Sequence, residues 1–159
     1  MVKTLTAADS PRQIAWGFAL GMLIGLVPKG NLLAATLGML LVATRLNLGA
    51  AALAAFLFTW IGHGLDPISH RVGLALLENS WLKPLWAWLY GLPLAPWTAL
   101  NNTVVMGSFA LGLAALAPTY FGVRRAASRV LPRIRQRLLK YHIGKVLLGL
   151  EIAAGGGSA

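Results

Sequence analysis

Three polar stretches interrupt an otherwise oily chain, and they hold the residues capable of chemistry. Pro28-Lys29-Gly30-Asn31 sets one ammonium and one carboxamide between two apolar runs. Asn31 can cap the helix that follows, whose first N–H groups lack intrahelical partners. Beside the Lys29 ammonium those groups would make an anion-binding corner; the alternative is a loop at the far surface with Lys29 among headgroups. His63, Asp66 and His70 are three and four residues apart, a spacing that on an unbroken helix would gather them on one face as metal ligands. Gly62, Gly64 and Pro67 argue against an unbroken helix, so no metal is assigned. Asp66 is expected to pair with Arg71 or Lys29, to cap a helix, or to serve as a proton-responsive or substrate-contacting group. Asn101-Asn102-Thr103 precedes the last apolar run, either as an N-cap or as hydrogen-bonding groups turned into a polar centre.

These residues do not compose a nucleophile with its base, a pair of carboxylates or a phosphate-binding glycine loop, so a non-enzymatic role is expected. The absence of cysteine excludes disulfides, thiol catalysis and thiolate metal sites, and no cofactor is implied.

The elements that must position them are apolar. Of 159 residues 57% are hydrophobic and 11% charged, where an average soluble domain has roughly 25% charged. One all-α integral membrane domain is the expectation, over residues 14–123, preceded by a cytoplasmic segment 1–13 without a cleavable signal and followed by a basic helix 124–154 and a flexible tail 155–159. The polar break divides residues 14–44 into halves of about 21 Å each, short of a hydrocarbon core of about 30 Å. They form either two thin crossings or a re-entrant hairpin, the latter preferred, and either returns the chain to the side it left. Full spans are expected at Leu46–Gly62 and Thr98–Val123, with the tryptophan-rich residues 72–97 between them as interfacial or oblique helices.

Gly17, Gly21 and Gly25 fall on one helix face, a small-residue surface for close helix packing or for an acyl chain. Eight of the fourteen Lys and Arg lie between Arg124 and Lys145. There Ala127, Val130, Leu131, Ile134, Leu138 and Leu139 keep a helical period while Arg129, Arg133, Arg135, Arg137 and Lys140 occupy other faces. With Arg124 and Arg125 this reads as a basic amphipathic helix on an anionic membrane surface, or as a partner-docking helix. Its position directly after an apolar run argues against nucleic acid as the partner and places both termini in the cytoplasm.

Ser10-Pro11, the run Gly17-Phe18-Ala19-Leu20-Gly21 through Ile24-Gly25 and Pro28, Arg45-Leu46-Asn47, Asp66-Pro67 with His70-Arg71-Val72-Gly73, and Asn101-Asn102-Thr103-Val104-Val105-Met106-Gly107-Ser108 together resemble a family of short bacterial membrane proteins termed domain of unknown function 2062. The resemblance covers about residues 10 to 125. It implies a bacterial inner-membrane protein without an assigned activity, of a subgroup often encoded beside a large AsmA-like protein linked to lipid movement between membranes.

The leading expectation is a protein that assists phospholipid transport or delivery to such an envelope-bridging partner. Lys29, Gly30, Asn31, Asp66, Asn101 and Asn102 would line a polar pocket holding anionic phospholipid. The alternatives are a small ion channel or proton-coupled carrier using the same charges, and a structural subunit that docks a larger partner and forms homo-oligomers or is unstable on its own.

Overall fold

The computed structural model describes the backbone of residues 10–155 and the side chains of residues 10–132. The first helix, α1 (Pro11–Leu26), begins in a capping box: the Gln13 amide donates to Ser10 Oγ at 3.3 Å and the Ser10 amide to Gln13 Oε1 at 2.9 Å. Pro11 at the first helical position adds a preset φ where its missing N–H costs nothing. The helix stops before Pro28, as expected, and α2 (Leu32–Ala43) follows the break.

Asn47 then caps α3 (Leu48–Glu78) by accepting from the Ala50 amide. This helix does not end at Gly62. It runs straight through Gly62, Gly64 and Pro67 and takes in residues 72–78, which the sequence assigned to the interface. Neighbouring helices supply the reason, since Gly62 packs on the Leu26 backbone and Gly73 meets Thr103 too closely for any side chain, and tertiary contacts of this kind let a helix keep internal Gly and Pro. A short α4 (Lys83–Tyr90) and a 3-10 turn (Ala95–Thr98) make the return. The last helix, α5 (Thr103–Gly155), starts later than expected and continues without interruption across Pro118 and Pro132. The basic segment after Val123 is therefore an extension of the preceding apolar helix rather than a separately turned one. Its side chains at Arg133, Arg135, Arg137 and Lys140 lie outside the described residues.

Directions follow from which residues meet. Gly17 lies against Asn47, Gly21 against Ala51 and Gly25 against Ala55 and Phe58, so α1 and α3 run parallel. Gly73 lies against Thr103 and Gly107 against Ser69, so α5 is antiparallel to both. Trp16 stacks on Tyr120 at 4.6 Å, which sets the start of α1 beside the middle of α5. Because α1 and α3 are parallel, α2 must carry the chain back to the end where α1 began. The expected return is thus present.

Ala15, Ala19, Met22, Leu23 and Val27 of the first segment meet Ala51 and Ala54 of α3 and Val105 and Met106 of α5 in a core of mostly small side chains. By contrast α2 buries no residue, although it is apolar throughout, and Met39 is 75% exposed. Trp60, Phe56 and Phe121 are exposed as well. An apolar exterior of this extent suits lipid or a partner rather than water. Two helical segments, Leu48–Glu78 and Thr103–Pro132, are long and apolar enough to cross a membrane.

Candidate functional site

The break between α1 and α2 is a built structure. Gly30 holds a φ of 91°, a left-handed conformation that suits glycine. Asn31 ties both sides together: its Nδ2 donates to the Pro28 carbonyl at 2.8 Å, and its Oδ1 accepts from the Ala34 amide at 2.8 Å. The expected cap of α2 is thus in place.

Lys29 turns the other way. Its ammonium donates to the carbonyls of Ile24 at 2.6 Å, Gly25 at 3.1 Å and Val27 at 2.7 Å. These carbonyls end α1, where the helix leaves acceptors unsatisfied and the dipole favours a cation. The anion-binding corner expected from Lys29 and the start of α2 is therefore not what forms, because all three ammonium protons are spent on α1.

Two cavities flank this tip. One, of about 420 Å³, is lined by Gly25 to Lys29 on the hairpin and by Thr59, Gly62, His63 and Asp66 on α3. The other, of about 500 Å³, lies between Lys29, Gly30, Asn31 and the start of α2 on one side and Trp97 of the 3-10 turn on the other. Irregular backbone at membrane depth is tolerated where it lines such space.

Of the six residues assigned to a pocket from sequence, the structure brings Lys29 and Asp66 into the first cavity and Lys29, Gly30 and Asn31 into the second. Asn101 and Asn102 join neither. Asn102 caps α5, its Oδ1 accepting from the amides of Val104 at 2.9 Å and Val105 at 3.3 Å, and Asn101 is exposed. Thr59 and His63 belong to the site though sequence reading left them out of it. The signal was available: Thr59, Gly62, His63 and Asp66 follow the three-four spacing of one helix face.

The three metal-like positions divide. His63 and Asp66 line the cavity, whereas His70 meets the Thr103 hydroxyl at 2.6 Å at the start of α5. Asp66 is half-buried, and among the described residues nothing gives it a hydrogen bond or an ion pair. The expected pairing with Arg71 or Lys29 does not occur. His63 Nδ1 lies 2.7 Å from the Thr59 carbonyl, and the Thr59 hydroxyl donates to the Ala55 carbonyl at 2.7 Å.

At the opposite end of the bundle Arg12, Arg45, Arg124 and Arg125 lie together, since Gln13 Nε2 donates to the Arg45 carbonyl at 3.2 Å and Trp16 stacks on Tyr120. The glycine ladder faces α3 along its length, which accounts for Gly17, Gly21 and Gly25 as helix-packing positions.

No solved structure matches the chain. An uncharacterized protein of Treponema pallidum (strain Nichols) is 27% identical over 128 residues, covering 80% of this chain and 79% of its own. Residues 1–137 match the family described as uncharacterized protein conserved in bacteria (DUF2062), and the chain belongs to that family.

Proposed function

We propose that this is a non-enzymatic protein of the bacterial inner membrane that takes a phospholipid headgroup into the cavity at the hairpin tip. The observation that carries this reading is the Asp66 carboxylate, without a partner among the described residues, in the lining of a cavity within an apolar helical frame. Charged groups at membrane depth mark pathways for polar substrates.

In this reading α3 and α5 cross the bilayer and the α1–α2 hairpin is re-entrant. The cavity, at the level of Gly62, is about 22 Å along α3 from Asn47 and about 24 Å short of Glu78. With the arginine-rich end in the cytoplasm, as positive charge flanking spans favours, the hairpin enters from that side and stops near the middle of α3. A headgroup reaching the cavity would leave its acyl chains along the exposed apolar surface of α2. Delivery to a larger envelope-bridging partner belongs to the same proposal.

The Thr59 hydroxyl donates to a carbonyl rather than to His63, so the pair is not arranged as a nucleophile and its base, which supports carriage over hydrolysis. The test is native mass spectrometry of the purified full chain. Phospholipid should be retained, and Thr59→Phe, which fills the cavity, should release it while thermal unfolding stays within a few degrees. A wild-type protein that carries no phospholipid sinks the proposal.

The free carboxylate also favours a second reading, a proton-coupled carrier. Proton flux into reconstituted vesicles that disappears in Asp66→Asn would support it, and tight vesicles would reject it.

A further inference from the structure

Resting on the phospholipid-binding reading, we infer that the hairpin-tip cavity selects headgroups bearing a primary ammonium. The argument is a count of donors and acceptors. Lys29 has three N–H bonds, and all three are directed at the carbonyls of Ile24, Gly25 and Val27. The single proton of the Thr59 hydroxyl is directed at the Ala55 carbonyl. A carbonyl can only accept, so the close contact between the Thr59 carbonyl and His63 Nδ1 fixes the hydrogen of neutral His63 on Nδ1. With His63 neutral, the side chains lining the cavity therefore leave a ligand only acceptors: the two oxygens of Asp66, the lone pair of His63 Nε2 and the lone pairs of Thr59 Oγ1. Pro67 adds to this set, because it lacks the amide that would otherwise bind the His63 carbonyl within α3.

A phosphate brings only acceptors and finds no side-chain donor free there. An ethanolamine ammonium brings three donors and a positive charge, and it meets the Asp66 carboxylate, which has no partner among the described residues and would accept a charge-assisted bond from it. A choline headgroup carries the same charge without an N–H, so it satisfies the charge and leaves the acceptors unpaired. The site thus discriminates by proton donation, not by charge alone. Lys29 itself shows the pattern in miniature, a primary ammonium seated on the carbonyls of the same tip.

The experiment compares chain-matched phosphatidylethanolamine, phosphatidylcholine and phosphatidylglycerol on the full-length protein by native mass spectrometry from defined mixed micelles. The ethanolamine lipid should be retained at least about tenfold over the choline lipid, the equivalent of one charge-assisted bond or more. Asp66→Asn should abolish that preference, with its fold checked by circular dichroism. Equal retention of the ethanolamine and choline lipids, or preference for phosphatidylglycerol, overturns the ammonium inference and leaves lipid binding standing. Retention of none of the three overturns the lipid reading itself. Free ethanolamine supplies the remaining arm: if it raises the melting temperature of wild type but not of Asp66→Asn while no lipid is held, the ammonium site stands and its natural ligand is a soluble amine.

Discussion

The crossing of α3 and α5 at Gly73 and Gly107 gives the sharpest test of the fold. A Cβ built on Gly107 would lie 2.9 Å from the Gly73 amide nitrogen and closer still to the Ser69 carbonyl. Comfortable contacts begin near 3.5 Å, so Gly107→Ala requires the helices to part by about 2 Å at the Ser69 carbonyl. Both opponents are backbone, and neither can rotate away as a side chain would. With backbone on both sides the overpacking falls at the upper end of its usual range, about 2–3 kcal/mol. Against it stands the better helix propensity of alanine, about 1 kcal/mol. The net expectation is a loss of about 1–2 kcal/mol. Gly122, on the same helix, has nothing within 4 Å of its would-be Cβ, so Gly122→Ala keeps the propensity gain without the clash. The two variants should therefore differ by about 2–3 kcal/mol in opposite directions. At roughly 2–4 °C per kcal/mol for a chain of this size, thermal unfolding in detergent should separate them by about 4–12 °C. Equal shifts for the two substitutions would refute the close crossing, and with it the antiparallel register that sets the cavity's place along α3.

Other outcomes follow from single contacts. Lys29→Met removes three bonds to the last carbonyls of α1, each a charge-assisted interaction, and should lower stability by about 1.5–3 kcal/mol; hydrogen exchange should rise at residues 24 to 34 and nowhere else. Asn102→Ala deletes the cap of α5 and should cost about 1 kcal/mol while leaving lipid retention unchanged, because Asn102 lines neither cavity. The buried Tyr90 hydroxyl has no hydrogen-bond partner among the described residues, and burial pushes its phenol above the usual value. A folded-state value raised above the unfolded one gives stability that is complete below about pH 10 and is lost as pH rises through the folded value. Tyr90→Phe should accordingly match or exceed wild type near neutrality and resist alkaline unfolding better, as read by circular dichroism across that range.

Much of the helical architecture is legible in the residues. Pro28 and Gly30 break the first apolar region where the structure breaks it, and Asn31 and Asn47 each precede a helix they cap. Where local reading fails, tertiary contact is the cause. Gly62, Gly64 and Pro67 weaken a helix taken alone, yet α3 persists because Gly62 packs on the Leu26 backbone and Gly73 on Thr103. By residue type the Asn-Asn-Thr stretch suits a cap or a pocket, and the path of α5 relative to the hairpin decides for the cap at Asn102.

The same distinction governs the chemistry. Sequence identifies Lys29 as a cation, and a cation beside a helix start suggests an anion. The fold aims its protons at the end of α1 instead, which converts Lys29 from a ligand-binding group into a cap and leaves Asp66 as the unsatisfied charge of the cavity. Residue type alone cannot make this assignment, because it depends on which donors the backbone has already consumed. The spacing of Thr59 and His63 marks one helix face, but their residue types mislead for the same reason: a threonine and a histidine on an apolar helix read as donors, yet bonded to the carbonyls of Ala55 and Thr59 they line the cavity as acceptors. The Lys29 ammonium lies in the same lining with its protons already given to carbonyls, so among the described residues the Asp66 carboxylate is left without a donor.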